Sequence, residues 1–67
     1  MKLSIKQTHK DYIFVETDMD LEEDDANVIC LKGHYTSNKW VYLYVIYFEW
    51  WKANKTKLLY ENRIKIA

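Results

Sequence analysis

The stretch Trp40-Val41-Tyr42-Leu43-Tyr44-Val45-Ile46-Tyr47-Phe48-Glu49-Trp50-Trp51 decides how this chain folds. It holds seven of the eleven aromatic residues in the 67-residue sequence. Aromatic and β-branched side chains fit a pleated, half-buried surface, so the stretch is predicted to form a β-strand. A buried helix fits the same continuous apolar run. The density of Tyr, Trp, Val and Ile and the near absence of Ala favour the strand.

The predicted strand is apolar on both of its faces. Side chains alternate along a strand, so the residues divide into two sets. The first set is Trp40, Tyr42, Tyr44, Ile46, Phe48 and Trp50, and the second is Val41, Leu43, Val45, Tyr47, Glu49 and Trp51. Only Glu49 carries a charge. The rest of the chain must therefore cover two faces or leave one of them for a partner.

So long a strand also predicts self-association. Its residues span about 40 Å, and the remaining chain is too short to shield both sides along that length. A two-fold homodimer that hides one aromatic face would cover the strand and add stability. The residues predicted to form the core are Leu43, Tyr44, Val45 and Ile46, with Phe14 and Val15 from a preceding hairpin.

The 67 residues predict a single compact domain, residues 1–67, near the lower size limit at which one core sustains folding. Cys30 is the only cysteine, so an internal disulfide is excluded. Residues 1–10 lack the apolar segment of a signal peptide, and the expected location is the cytoplasm, where Cys30 stays reduced. The apolar run is shorter than the roughly 20 residues of a membrane span, so no membrane association is expected.

The first two strands are predicted to form a hairpin. Residues 2–7 alternate, with Leu3 and Ile5 on one face and polar side chains on the other. Residues 12–17 are rich in aromatic and β-branched side chains and fit a second strand. Because the connection between them is short, an antiparallel hairpin is the natural arrangement.

Residues 18–35 fit two arrangements. The favoured one is an acidic loop followed by a strand from Asn27 to Tyr35, which a turn at residues 36–39 joins to the aromatic strand. The alternative is a helix over residues 20–31, capped by Asp20 and able to cover an exposed strand face. The apolar stripe of such a helix would be thin, and this favours the strand.

After the aromatic stretch the chain becomes polar. A turn at residues 52–55, a return strand over residues 56–60 and a last strand over residues 63–67 are predicted. A helix over residues 47–62 is the alternative, disfavoured by irregular apolar spacing. The predicted fold is mostly β, a small antiparallel meander of four to five strands in an open sheet or small barrel. If the alternative helix near residues 20–31 formed, the fold class would be α+β.

The net charge is zero, but the charges are separated along the chain. Residues 11–25 hold eight acidic residues and no base. A calcium loop is disfavoured, because Glu23 stands where such a loop needs glycine. Closely spaced carboxylates on a small body can instead occupy a basic groove of a nucleic-acid enzyme and steer fast association. The predicted partner-binding residues are Asp18, Asp20, Glu22, Glu23, Asp24, Asp25, Tyr42, Trp50 and Trp51.

An aromatic and basic set of residues supports a second hypothesis. Bases of a single-stranded nucleic acid stack on aromatic rings while lysines follow its phosphates. The residues of these types are Tyr42, Tyr44, Trp50 and Trp51, with Lys39, Lys52, Lys55, Lys57 and Arg63. The zero net charge weighs against this hypothesis, because a basic domain is expected. A small chain without a disulfide also needs many of these rings in its core.

No motif indicates catalysis, a cofactor or a metal. Cys30 lies in an apolar run, which raises the pKa of a thiol, and Cys30 with His34 is a pair of ligands where a structural zinc site needs four. The general profile, short and rich in Lys, Ile, Tyr and Asn, resembles the small accessory proteins of viruses and mobile elements. The sequence therefore predicts a non-catalytic protein-binding module, an inhibitor or regulator of a larger protein. The alternatives are a single-stranded nucleic-acid-binding barrel and a structural homodimer subunit.

Overall fold

The structure, a computed structural model, describes residues 2–24, 26–62 and 65–66, and the side chains of residues 2–24 and 26–61. These residues form strands and one helix. In chain order they are β1 (Lys2–Thr8), β2 (Tyr12–Thr17), β3 (Val28–Thr36), β4 (Lys39–Tyr47), α1 (Phe48–Asn62) and β5 (Lys65–Ile66). The last predicted strand also included Arg63, Ile64 and Ala67, which lie outside the described residues.

The strands form an open sheet in the order β3-β4-β2-β1-β5. The pairs β1–β2 and β3–β4 are antiparallel hairpins, and β2 also runs antiparallel to β4. Only β5 is parallel to its neighbour, β1. A mostly β fold with an open sheet and one helix is thus confirmed. The hairpins follow chain order, as in a meander, but β4 rather than β3 lies beside β2.

The hairpin between β3 and β4 turns through two residues. Ser37 and Asn38 have positive φ angles of 51° and 64°, the conformation of a tight turn that matches the twist of the flanking strands. Thr36 therefore pairs directly with Lys39. The turn predicted over residues 36–39 is confirmed.

The segment before this hairpin follows the favoured arrangement, a loop and then a strand. The helix proposed over residues 20–31 is wrong, because Val28 and Cys30 pair with β4 in the sheet. Asp24 is joined to Val28 by an isolated antiparallel bridge. The backbone groups that a helix would need are thus used by the sheet.

β4 ends at Tyr47, although the sequence predicts a strand through Trp51, and α1 begins at Phe48. The position of β2 explains why β4 ends at Tyr47, since Tyr47 pairs with Tyr12, the first residue of β2. A longer strand would leave its backbone groups unpaired, whereas a helix pairs its own. The turn predicted over residues 52–55 and the return strand predicted over residues 56–60 are wrong, because these residues lie inside α1. The alternative, a helix over residues 47–62, describes this segment. No helix in the described residues combines the length and the apolar character needed to cross a membrane.

The core lies between one face of the sheet and a cover formed by α1 and the loop before β3. Its buried hydrophobic residues are Leu3, Ile13, Val15, Leu21, Val28, Tyr44, Ile46 and Trp51. The predicted core residues Val15, Tyr44 and Ile46 are confirmed, since each is fully buried. Leu43 and Val45 are only half-buried, because alternation along β4 places them on the opposite face.

This opposite face is called the open face below. Its residues alternate with the core residues along each strand. They are Tyr12, Phe14 and Glu16 in β2, Ile29, Lys32 and His34 in β3, and Val41, Leu43, Val45 and Tyr47 in β4. Tyr12, Ile29 and Tyr47 are 48%, 42% and 38% exposed. Phe14, predicted to lie in the core, is half-buried on this face instead.

Candidate protein-binding site

The acidic segment, residues 18–25, is tied to the sheet at its start by Asp18. Oδ1 of Asp18 accepts the backbone N–H of Lys2 at 3.1 Å, and Oδ2 lies 3.7 Å from Nζ of Lys39. The Lys2 N–H is the main cause that lowers the pKa of the Asp18 carboxyl; partial burial opposes it, and the Lys39 charge adds to it. Asp18 therefore connects the segment to both β1 and β4.

Tyr44 anchors the middle of the acidic segment. Its hydroxyl oxygen accepts the backbone N–H of Leu21 at 2.8 Å. The hydroxyl proton has two acceptors within reach, Oδ1 of Asp20 at 3.3 Å and the carbonyl oxygen of Leu21 at 3.4 Å. Burial raises the pKa of Tyr44 to about 12, with the Asp20 charge adding to the rise and the Leu21 backbone opposing it. The phenol is therefore neutral at physiological pH.

Glu23 and Asp24 of the acidic segment are tied to β3. Oε1 of Glu23 accepts the backbone N–H of Cys30 at 2.9 Å. Asp24 and Val28 exchange backbone hydrogen bonds of 2.9 and 3.0 Å. Burial, followed by the charges of Glu23 and Asp20, raises the pKa of the Cys30 thiol. These surroundings disfavour the thiolate, as the apolar run around Cys30 predicts.

A groove of about 340 Å³ separates the acidic segment from α1. The apolar floor of this acidic groove is formed by Leu21, Val28, Trp50 and Leu58. Its rim is formed by Glu22, Glu23, Asp24 and Glu61, with Asn54 and Lys57. Because the rim has four carboxylates and one amine, the groove favours a positively charged occupant.

The structure brings several predicted partner-binding residues to this groove. Those that line it are Glu22, Glu23, Asp24 and Trp50. Asp18 and Asp20 lie nearer the start of the segment, where they contact Lys2 and Tyr44. Asp25 lies outside the described residues.

Helix α1 supplies groove residues that were not among the predicted ones. They are Asn54, Lys57, Leu58 and Glu61, which line the groove beside Trp50. Positions 50, 54, 57 and 61 recur with the period of one helix face, and this is the signal by which the sequence could reveal them. The same helix directs Trp51 into the core, where it is 3% exposed. The Trp51 side chain therefore belongs to the core and is not available to a partner.

A separate aromatic surface lies toward the tip of the β3–β4 hairpin. This aromatic strip consists of Tyr35, Trp40 and the predicted partner-binding residue Tyr42. The Tyr35 and Trp40 rings meet edge to face at 5.8 Å between centroids, and Trp40 stacks with Tyr42 at 6.4 Å. Tyr35 and Trp40 are 61% and 52% exposed. Gly33 leaves room for the strip, because a Cβ at this position would lie 3.0 Å from Cδ1 of Tyr42.

The acidic groove combines negative charge with apolar surface, and both properties occur at protein–protein interfaces. Within residues 2–24, 26–62 and 65–66, no group of three His, Cys, Asp or Glu side chains is placed to hold a metal ion. Comparison of the chain with protein-family models, with curated proteins and with solved structures finds no match.

Proposed function

We propose that the protein is a small non-catalytic binding module, an inhibitor or regulator, that docks on a larger protein through the acidic groove. The observation that supports this is the apolar floor beneath a rim of carboxylates. A lysine or arginine side chain suits such a groove, since its aliphatic stem packs on apolar surface while its charged head reaches carboxylates. The proposed partner is therefore a protein that presents a basic segment.

The rim charges act mainly on how fast and how selectively the partner binds. Glu22, Glu23, Asp24 and Glu61 are exposed. Exposed ion pairs contribute only about 0–1 kcal/mol each, whereas clustered charges of one sign steer a partner of the opposite sign into contact. The apolar floor around Trp50 then supplies the surface that the partner buries.

The acidic segment is held in shape before any partner arrives. Tyr44 fixes Leu21 in the floor, and Glu23 is bound to the backbone of Cys30. A loop that is already ordered loses less conformational entropy on binding than a flexible one, and this favours affinity. These internal contacts support a surface built for binding over an ordinary solvated loop.

The charge of the groove suggests the class of partner. Proteins that act on nucleic acids carry basic surfaces that bind phosphates. A small protein with a compact acidic surface can occupy such a surface and block it. We propose that this takes place in the cytoplasm, where Cys30 remains a free thiol. A role of this kind is that of the small accessory proteins of viruses and mobile elements.

Short synthetic peptides test the proposal. Peptides with paired Lys or Arg residues in an apolar sequence, and matched peptides with Glu in their place, are probes for surface plasmon resonance at low and physiological salt. We expect only the basic set to bind. The double variant Glu22→Gln with Glu61→Gln should associate with the basic peptides about tenfold more slowly at low salt, because two rim charges are removed.

Glu49→Gln, which removes one negative charge where the double variant removes two, is the control outside the groove. Glu49 is an exposed carboxylate of α1 that lies outside the groove, 3.2 Å from Nζ of Lys52. Its removal changes the net charge without changing the rim, so binding of the basic peptides should be nearly unaffected. Failure of the basic peptides to bind, or equal effects of the rim and control variants, would overturn the proposal.

The aromatic strip favours a second candidate function, the binding of single-stranded nucleic acid. The exposed rings of Tyr35 and Trp40 offer surfaces on which bases can stack. Lys39 lies beside Trp40 in sequence but is 3.7 Å from Asp18, which reduces its attraction for phosphate. A mobility shift with labelled oligonucleotides at two salt concentrations tests it. Salt-sensitive binding that Trp40→Ala abolishes would support this function, and absence of binding would reject it.

A further inference from the structure

The open face of the sheet carries a pattern of charge that the acidic groove does not involve. Cross-strand register defines two neighbouring rows of side chains. One row is Ile29, Val45 and Phe14, and the next is Lys32, Leu43 and Glu16. In both rows the β4 residue is central, with β3 on one side and β2 on the other. The first row is apolar, and the second is positive at one end and negative at the other.

A β-bulge produces this arrangement. In a regular strand, Ile29 and Lys32 would lie on opposite faces, because side chains alternate. β3 shifts register between Cys30 and Lys32, so one extra residue, Leu31, is inserted. Lys32 consequently pairs with Leu43 and lies on the same face as Ile29.

We propose that the open face is the interface of a homodimer whose two-fold axis runs parallel to β4 above Leu43. Rotation about this axis keeps each row at its height and exchanges the β2 and β3 sides. Lys32 of one copy then lies over Glu16 of the second copy, and Ile29 lies over Phe14. Opposite charges meet, apolar side chains meet, and the symmetry makes each contact twice. Packed sheets are typically rotated by about 30° relative to each other, and such a rotation displaces side chains least close to Leu43, where the axis crosses these rows.

The charges that form this contact are accessible. Within one copy, Oε1 of Glu16 lies 3.9 Å from Nζ of Lys6, and the two side chains are 41% and 53% exposed. A long, solvated contact of this kind contributes little, so the Glu16 carboxylate can accept a second base. None of the ion pairs between described residues involves Lys32. In the homodimer, Glu16 of the second copy would supply Lys32 with an acidic partner.

The interface would use three strands of each sheet. With the axis above β4, strands β3, β4 and β2 of one copy lie over β2, β4 and β3 of the second copy, and β1 and β5 lie outside the contact. A small chain with a single core also gains stability from association. Because α1 packs on the opposite face, the acidic groove would point away from the interface and remain free.

Sedimentation equilibrium of the full chain at micromolar concentration tests the interface. We expect a species of twice the 8.2 kDa chain mass. Lys32→Glu and Glu16→Lys should each weaken the dimer about tenfold, because each sets like charges opposite one another. The double variant should restore the wild-type Kd, since it exchanges the two charges and keeps their pairing. Lys55→Glu on α1 makes the same change in net charge as Lys32→Glu and should have little effect on the dimer.

The outcomes separate this interface from the acidic groove. A thermal melt of each variant establishes that it is folded. Folding is the expected result, because Lys32 is exposed and the Glu16 side chain is 41% exposed. A monomeric wild-type chain would overturn the homodimer. A double variant that dimerises no better than the single variants would overturn the proposed axis. The double variant Glu22→Gln with Glu61→Gln should leave the dimer unchanged. The test of the homodimer therefore does not depend on whether basic peptides bind in the acidic groove.

Discussion

The hydroxyl oxygen of Tyr44 accepts the backbone N–H of Leu21 at 2.8 Å, and this bond fixes the acidic segment to strand β4. Leu21 is 4% exposed in the core, while the adjacent Glu22 and Glu23 are exposed on the rim of the groove. One side chain of the sheet therefore sets where the rim carboxylates lie. The geometry of the groove depends on the same contacts that stabilise the fold.

Replacing Tyr44 with Phe should destabilise the protein by about 1–3 kcal/mol, because the buried N–H of Leu21 loses its acceptor. Urea unfolding measures the change. Tyr35→Phe removes the hydroxyl of a ring that is 61% exposed and should have little effect. Equal stabilities of the two variants would show that the Tyr44 hydroxyl does not hold the acidic segment.

The raised pKa of Tyr44 predicts a loss of stability at alkaline pH. The pKa is about 12 in the folded chain and about 10 when unfolded. The folded state therefore holds this proton more tightly. Its contribution is complete below about pH 10 and is lost as pH rises toward about 12.

The size of the effect follows from the shift, which corresponds to about 3 kcal/mol. The unfolding free energy of wild type should fall by about 2 kcal/mol relative to that of Tyr44→Phe from about pH 9 to pH 12, so the stability advantage of wild type is lost or reversed. Both proteins carry the other tyrosines, so the difference isolates Tyr44. A constant difference over this range would contradict the assignment.

Ile46→Ala should cost about 2–5 kcal/mol, since Ile46 is fully buried between the sheet and its cover. This is a large part of the stability available to so small a chain. Ile5→Ala is the matched control, because Ile5 is 41% exposed in β1. Thermal melts that show similar losses for both variants would mean that the core lies elsewhere.

Gly33→Ala should destabilise the β3–β4 hairpin by up to about 1 kcal/mol, because the new Cβ would lie 3.0 Å from the Tyr42 ring. In a Tyr42→Ala background the same change should become neutral or stabilising, since glycine is unfavourable in strands. A double-mutant cycle of unfolding free energies measures the coupling. Purely additive effects would argue against close contact between Gly33 and Tyr42.

The hairpin from β3 to β4 is predictable from sequence because its signals are local. Asn38 tolerates a positive φ, and the flanking residues are strand formers on both sides. Neither property depends on the rest of the chain. Alternation in β1 is a weaker signal, because it places Leu3 and Ile5 on one face, whereas Leu3 is fully buried and Ile5 is 41% exposed.

The end of β4 is not predictable in this way, because it depends on where other strands begin. Tyr47 is the last residue of β4 and lies opposite the first residue of β2, but the apolar run continues through Phe48 and Trp51 without a break. Helix α1 is further hidden by Asn54, a polar residue on the side that faces the groove. Its Nδ2 donates to the carbonyl oxygen of Trp50 at 2.8 Å, within the helix.

The choice of buried face is also decided at long range. Both faces of β4 are apolar, so Leu43 and Tyr44 are equally good core residues by composition. The packing of α1 and Leu21 against the Tyr44 side selects the core. For the candidate site, the acidic half of the rim is visible in the sequence, whereas Lys57 and Glu61 join it only through the helix.

The proposed function depends on the binding of a basic segment in the acidic groove. Amide chemical-shift mapping locates that binding, with an isotope-labelled chain titrated with a basic peptide at physiological salt. We expect the shifts to concentrate at Glu22, Asp24, Lys57 and the indole of Trp50. Shifts concentrated instead at the aromatic strip, around Tyr35 and Trp40, or on the open face, around Ile29 and Leu43, would contradict it.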